Sequence, residues 1–196
     1  MASADPSAPF TDLASVAASA SGCNRCRLSE GRTQVVFGTG SPSADLLFVG
    51  EGPGAEEDAR GLPFVGRSGK LLDRLVLEEV GLRRDQCYIA NVVKCRPPGN
   101  RDPRPDEVEA CRPWLDQQLD FLSPKVVVTL GNFATKALLG TTHGITRVRG
   151  RTYPWRSGVL VPTYHPAAVL RGGGETLAQM RADLVRAKLA LGPAAR

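Results

Sequence analysis

The placing of four cysteines limits the folds open to this chain. Cys23 and Cys26 form a Cys-x-x-Cys pair, whereas Cys95 and Cys111 stand alone far downstream. Tandem Cys-x-x-Cys knuckles of the zinc-ribbon kind are therefore excluded. The spacing instead implies a chain that returns upon itself to close one four-cysteine site. Such a site would pin the N-terminal segment to the loop and helix bounded by Cys95 and Cys111. Met1 to Ala20 is rich in Ala and Ser, with neither a basic start nor a continuous apolar stretch, so it is not read as a signal peptide. No apolar run approaches the ~20 residues needed to cross a bilayer. A cytoplasmic protein without membrane attachment is expected, in which cysteines serve a metal or cluster rather than disulfides.

At 196 residues the chain fits one domain. A disordered leader is expected over 1–10 and a single domain over 11–196, with a short helix near 11–20. Asp45 to Gly50, Cys87 to Val93 and Lys125 to Leu130 are short apolar runs read as buried strands. Residues 145–153 and 158–163 are expected as further strands. Ser68 is placed to cap a helix carrying Leu71, Leu72, Leu75, Val76 and Val80 on one face and ending at Gly81. A second helical pattern follows Pro105, with Pro113 expected to kink or split it. Gly131 to Leu139 and Glu175 to Leu191 complete the helices. Strands alternating with helices imply an α/β fold, with helices covering both faces of a mostly parallel sheet. In such folds the functional loops leave the C-terminal ends of the strands. Glu51, Asn91, Gly131 and His165 should therefore gather along one edge.

The net charge of +5 only weakly favours a polyanionic partner, and its distribution is more informative. Arg147, Arg149 and Arg151 alternate, so a strand would put all three on one face. Lys94, Arg96, Arg101 and Arg104 form a second basic group around a Pro-rich loop. Either group alone suits a solvated surface. Together, flanking the candidate chemistry, they point to phosphate binding.

Four motifs then combine with the cysteines. Gly50-Glu-Gly-Pro-Gly54 with Glu57-Asp58, Leu62-Pro-Phe-Val-Gly66, Asn91-Val-Val-Lys-Cys-Arg-Pro-Pro-Gly-Asn-Arg101 and His165-Pro-Ala-Ala-Val-Leu170 occur in that order. Together they resemble a family 4 uracil-DNA glycosylase, from about Cys23 to the terminal helix. The resemblance implies a three-layer α/β/α sandwich with a [4Fe–4S] cluster on Cys23, Cys26, Cys95 and Cys111, although ligand spacing alone leaves zinc open. Cys87 lies inside a strand and reads as a small buried hydrophobe.

The same resemblance implies that the enzyme flips uracil from DNA, single- or double-stranded, and hydrolyses its N-glycosidic bond. His165 corresponds to the histidine that donates to uracil O2, and Asn91 to the asparagine that reads O4 and N3–H. Phe64 corresponds to the aromatic that stacks on the base, its bland alternative being a core phenylalanine. Gly52 and Gly54 would let the backbone approach the base and deoxyribose. The place of the water-positioning aspartate of the best-known uracil glycosylases is taken by Gly52. Glu51 is therefore the first candidate for that work and Glu57 the second. Leu170 and Arg171 resemble the loop that wedges into the vacated stack and touches phosphate, with Arg147, Arg149 and Arg151 holding the backbone nearby. A monomer, nucleoid-associated when on DNA, is the expected working form.

The loop after Cys95 carries no histidine, which argues for turnover rather than the covalent capture of certain relatives. The glutamate of Gly-Glu-Gly-Pro-Gly argues against the family 5 type. Two rivals stand beside this reading. One is a non-catalytic uracil-DNA-binding protein, and the other a glycosylase for another deaminated base such as hypoxanthine.

Overall fold

The computed structural model describes residues 5–7 and 9–192. Its strands are β1 (Thr39–Gly40), β2 (Leu46–Gly50), β3 (Tyr88–Asn91), β4 (Val126–Leu130), β5 (Tyr153–Trp155) and β6 (Gly158–Thr163). They form one mixed sheet in the order β1-β3-β2-β4-β6-β5. The four inner strands run parallel, and the short edge strands β1 and β5 are antiparallel to their neighbours. The α-helices are α1 (Leu13–Ser21), α2 (Leu28–Gly31), α3 (Ala55–Arg60), α4 (Arg67–Leu75), α5 (Pro105–Leu122), α6 (Gly131–Leu139), α7 (Ile145–Val148) and α8 (Pro166–Leu191).

Every residue of β2, β3 and β4 is buried, so both sheet faces are covered. Alternation along the strands divides the core into two layers. Leu47, Val49, Tyr88, Ala90, Val127 and Leu160 face one layer, with Val16 of α1, Trp114 of α5 and Leu138 of α6. Leu46, Phe48, Ile89, Val128 and Val161 face the other, with Leu72 of α4 and Met180 and Leu184 of α8. The result is the three-layer arrangement expected. Each fully buried Leu, Val or Phe contributes roughly 1.5–3 kcal/mol.

Of the leader expected over 1–10, residues 1–4 and 8 lie outside the described residues. The described part meets α5. Gln117 Nε2 donates to the Pro6 carbonyl at 3.2 Å, and the Phe10 ring stands 6.3 Å from that of Trp114.

Several local expectations are corrected. Gly66, not Ser68, is the N-cap residue of α4, and the helix continues through a π-helical turn (Val76–Val80) before Gly81 ends it with φ 84°. Pro113 does not split α5, an 18-residue helix. The strand expected over 145–153 is instead a helical turn, a loop and the start of β5. Ile145 and Val148 are the buried residues of α7, and their spacing of three is that of a helix. Arg147, Arg149 and Arg151 therefore share no strand face. The helix expected over Glu175 to Leu191 is the second of two helical segments within α8, joined across Gly173, whose φ 74° and ψ −160° are not helical.

Candidate active site

The parallel strands end along one edge, and the residues leaving them carry the expected groups. Glu51 follows β2, Asn91 ends β3, Gly131 opens α6 directly after β4, and His165 stands between β6 and α8.

Asn91 is 1% exposed, and its Oδ1 has no hydrogen-bond partner among the described residues. Leaving such an atom unpaired costs about 1–3 kcal/mol. The amide oxygen stands over Gly50. A Cβ at that position would lie 2.5 Å from Asn91 Oδ1 and 2.6 Å from Phe64 Cζ, so only glycine fits. The Phe64 ring is in turn 5.5 Å from the His165 ring and tilted 33° to it. Asn91, Phe64 and His165 thus converge above the end of β2.

His165 is the N-cap residue of α8. Its Nδ1 accepts the Ala167 backbone N–H at 3.1 Å. That bond needs an unprotonated Nδ1, so the proton of the neutral ring sits on Nε2. Burial lowers the pKa to about 4, and nearby Arg171 acts in the same direction against Glu57. At neutral pH the ring is an uncharged donor. Gly131, at φ 90°, leaves it room, because a Cβ there would come within 3.0 Å of His165 Cβ.

The two candidate acids have different surroundings. Burial, followed by the charge of Asp102, pushes Glu51 up to about 7. Glu57 is committed to the backbone. Its carboxylate accepts from Gly54 N–H at 3.1 Å, Val65 N–H at 2.9 Å and Gly66 N–H at 3.1 Å. It therefore clamps the glycine-rich turn to the loop that carries Phe64. Gly52 and Gly54 also serve the protein itself. Cβ atoms there would lie 2.8 Å from Val93 Cγ2 and 2.7 Å from Glu57 Oε2.

Phe64 adopts φ 52°, unusual for a bulky residue, and its surroundings enforce it. Arg84 Nη1 donates to the Phe64 carbonyl at 3.1 Å and to Asp73 Oδ1 at 2.9 Å, while Nη2 donates to the Pro63 carbonyl. Gly69 packs so tightly beneath that a Cβ would fall 1.7 Å from the same carbonyl oxygen of Phe64. Sequence reasoning missed both residues. Gly69, three residues after Gly66 inside a helix, was the available signal for close packing, and nothing marked Arg84.

Of the expected DNA contacts, Leu170 is 45% exposed and Arg147, Arg151 and Arg171 are exposed. Arg149 is turned inward. Its Nε and Nη2 donate to Asp183, each at 2.9 Å, and Nη2 also donates to the Gln179 carbonyl at 2.8 Å. Asp183 is fully buried and also accepts from Thr163 Oγ1 at 2.9 Å. The pair fastens α8 to the end of β6 just before His165. Of the second basic group, Lys94 is 1% exposed, and Arg101 is held by Glu107 at 2.6 Å.

Cys23, Cys26, Cys95 and Cys111 line one cavity. Among the described residues no three His, Cys, Asp or Glu side chains are grouped to hold a single metal ion. Three of the four sulfurs receive hydrogen bonds: Cys23 from Trp114 Nε1 at 3.2 Å, Cys95 from Arg32 Nη1 at 3.5 Å and Cys111 from Lys94 N–H at 3.3 Å. Burial outweighs these donors, raising the Cys26 thiol and pushing Cys95 up to about 11 and Cys111 up to about 12. Cys87 is buried on the opposite face of the sheet from the four-cysteine cavity.

The description of the uracil DNA glycosylase superfamily matches residues 37–187. The chain is 50% identical over 156 residues to a type-4 uracil-DNA glycosylase of Sulfurisphaera tokodaii, covering 76% of this chain and 71% of that protein. It is 46% identical over 169 residues to the type-4 enzyme of Thermotoga maritima, covering 85% and 88%. Similarity to a type-5 uracil-DNA glycosylase of Thermus thermophilus is lower, 33% over 141 residues, covering 65% and 62%. The glutamate after Gly50 and the order of these identities agree, and the chain belongs to the type-4 branch of the uracil-DNA glycosylase superfamily.

Proposed function

We propose that this protein excises uracil from DNA by hydrolysing the N-glycosidic bond, leaving an abasic site for later repair steps. The observation that carries the proposal is the buried, unpaired Oδ1 of Asn91, which stands over Gly50 beside the Phe64 ring, itself 5.5 Å from the ring of His165. Uracil completes that arrangement. Its N3–H donates to Asn91 Oδ1, its O4 accepts from the amide nitrogen, and its face lies against Phe64. With the amide in this orientation, cytosine sets its N3 lone pair against that of Oδ1 and its amino group against the amide N–H2, leaving the asparagine unsatisfied.

As the C1′–N1 bond breaks, its electron pair passes to the uracil ring and gathers on O2. The neutral Nε2–H of His165 meets that charge with a hydrogen bond, which is electrostatic stabilisation and needs no proton transfer. The sugar left behind is cationic at C1′. Glu51, as a carboxylate, stabilises it and orients the water whose oxygen bonds to C1′, taking up the released proton. Glu57 holds the turn and the Phe64 loop together and touches neither fragment. Leu170 fills the vacated stack, and Arg171 with Arg147 and Arg151 contacts phosphates.

The four cysteines, which line one cavity, suit a [4Fe–4S] cluster, whose usual ligands are four cysteine thiolates. Bound there, the cluster would supply iron–thiolate bonds through Cys23 and Cys26 after α1, Cys95 in the loop after β3 and Cys111 of α5. The hydrolysis itself transfers no electron.

Excision from a 5′-labelled single-stranded oligonucleotide with one uracil, followed by alkali, tests the reading. Alkali-dependent cleavage at uracil, absent with thymine, is expected. An intact strand with uracil and a cut one with hypoxanthine would move the substrate to another base. A retarded band on a denaturing gel would replace turnover by covalent capture.

A further inference from the structure

The side chain of Lys94 lies inside the protein, between the four-cysteine cavity and the base-reading asparagine. Its Nζ donates to the Asn91 backbone carbonyl at 2.7 Å and to Gln118 Oε1 of α5, and it stands 5.8 Å from the Phe37 ring centroid. Both hydrogen-bond partners are neutral oxygens. A fully buried ammonium without a carboxylate beside it is costly. Two of the four sulfurs adjoin this residue, because the Lys94 backbone N–H bonds Cys111 Sγ at 3.3 Å and the next residue is Cys95.

The position of Asn91 explains what the cation holds. The β1–β3 ladder reaches only Tyr88 and Ile89, so the Asn91 carbonyl lies beyond it. On the opposite side the strand is kept in place by Val92 N–H to the Gly50 carbonyl at 2.9 Å. The Asn91 Oδ1 has no bond of its own. The aim of its amide is therefore inherited from the backbone, and that backbone is fixed on its free side by Lys94. Gln118 is held in turn by its Nε2, which donates to the Phe37 carbonyl at 2.8 Å.

We propose that Lys94 is the positioning residue for uracil recognition: it anchors the Asn91 backbone to α5 and joins the base-reading edge to the four-cysteine site. This rests on Asn91 being the uracil-reading side chain. The sequence presents Lys94 as one more surface cation, and its burial gives it this different role.

The test is a double-mutant cycle on single-turnover excision with Lys94→Met, Asn91→Ala and the double variant. Lys94→Met is expected to slow excision of uracil roughly 10- to 100-fold, as misplacement of a reading group does. It should also narrow the preference for uracil over cytosine while leaving affinity for uracil-free DNA unchanged. In the Asn91→Ala background the same change should cost nothing further. Visible absorbance and melting temperature report the cysteine site separately. If Lys94→Met loses either, Gln118→Met disturbs the same ammonium from α5, away from the cysteines, with an expected loss of three- to tenfold that also vanishes with Asn91→Ala. Additive losses, or wild-type rates in both variants, overturn the proposal. A wild-type rate for Asn91→Ala alone overturns the reading of Asn91, and the coupling with it.

Discussion

Two polar regions are joined by the end of β6, where Thr163 of one and His165 of the other stand two residues apart, and they are built on opposite rules. At the mouth, Asn91 keeps an unpaired buried oxygen, Glu51 is pushed up to about 7, and His165 is held neutral. Behind it, Arg149, Asp183 and Thr163 are tied to one another. The mouth holds groups at a cost to folding, because a ligand or a developing charge is to satisfy them. The knot behind it is complete, and its completeness keeps α8 and His165 in register. The contrast separates groups that act on substrate from groups that act on the fold.

Removing the mouth's polar groups breaks the comparison most directly. His165→Ala or Asn91→Ala should lower single-turnover excision roughly 10²- to 10³-fold, the scale of a lost donor to a developing oxyanion. DNA affinity should hold, since phosphate contacts supply it. Filter binding and rapid-quench kinetics on the same oligonucleotide check this. Equal losses in affinity and rate would move both residues from the mouth to the fold.

Glu51 sharpens the contrast through pH. Its folded pKa, about 7, lies above the ordinary 4.5. Between those values the folded state binds a proton that the unfolded state releases. Its stabilising contribution is therefore complete below about 4.5 and lost as pH rises through 7. Glu51→Gln should melt higher than the natural protein at pH 8 and lose that advantage by pH 5. It should also excise uracil roughly 10²-fold more slowly at pH 8. The natural protein should gain rate as pH rises through about 7, because His165 is already neutral throughout that range. A rate that is flat from pH 5.5 to 8.5 would take the water and the sugar cation away from Glu51.

Much of this was legible in the sequence, and the exceptions share a cause. The apolar runs specified β2, β3, β4 and β6, and the strand-end rule placed Glu51, Asn91 and His165 on one edge before any contact was known. Arg147, Arg149 and Arg151 misled because charge alternation was given the weight of apolar alternation. Only buried residues set the period, and Ile145 and Val148 set a helical one. Lys94 misled for the related reason that a lysine is almost always exposed. Its burial depends on Gln118, the Asn91 carbonyl and the sulfurs, which meet only in the folded chain. Glu57 could not be told from Glu51 because an acid held by three backbone amides has the same letter as one left free.

Arg149 and Arg151, two residues apart, give the comparison its finest resolution. Arg149→Ala leaves Asp183 buried without its guanidinium, where burial already pushes its pKa up. A stability loss of about 3 kcal/mol is expected in urea melts, with the salt dependence of DNA binding unchanged. Arg151→Ala should do the reverse. Stability should stay within about 0.5 kcal/mol, while the slope of log affinity against log salt should fall by roughly 0.7 on single strands or 0.9 on duplex. Should Arg149→Ala instead lower the salt slope at unchanged stability, its guanidinium leaves Asp183 for phosphate when DNA binds. The knot behind the mouth would then belong to the DNA-binding surface.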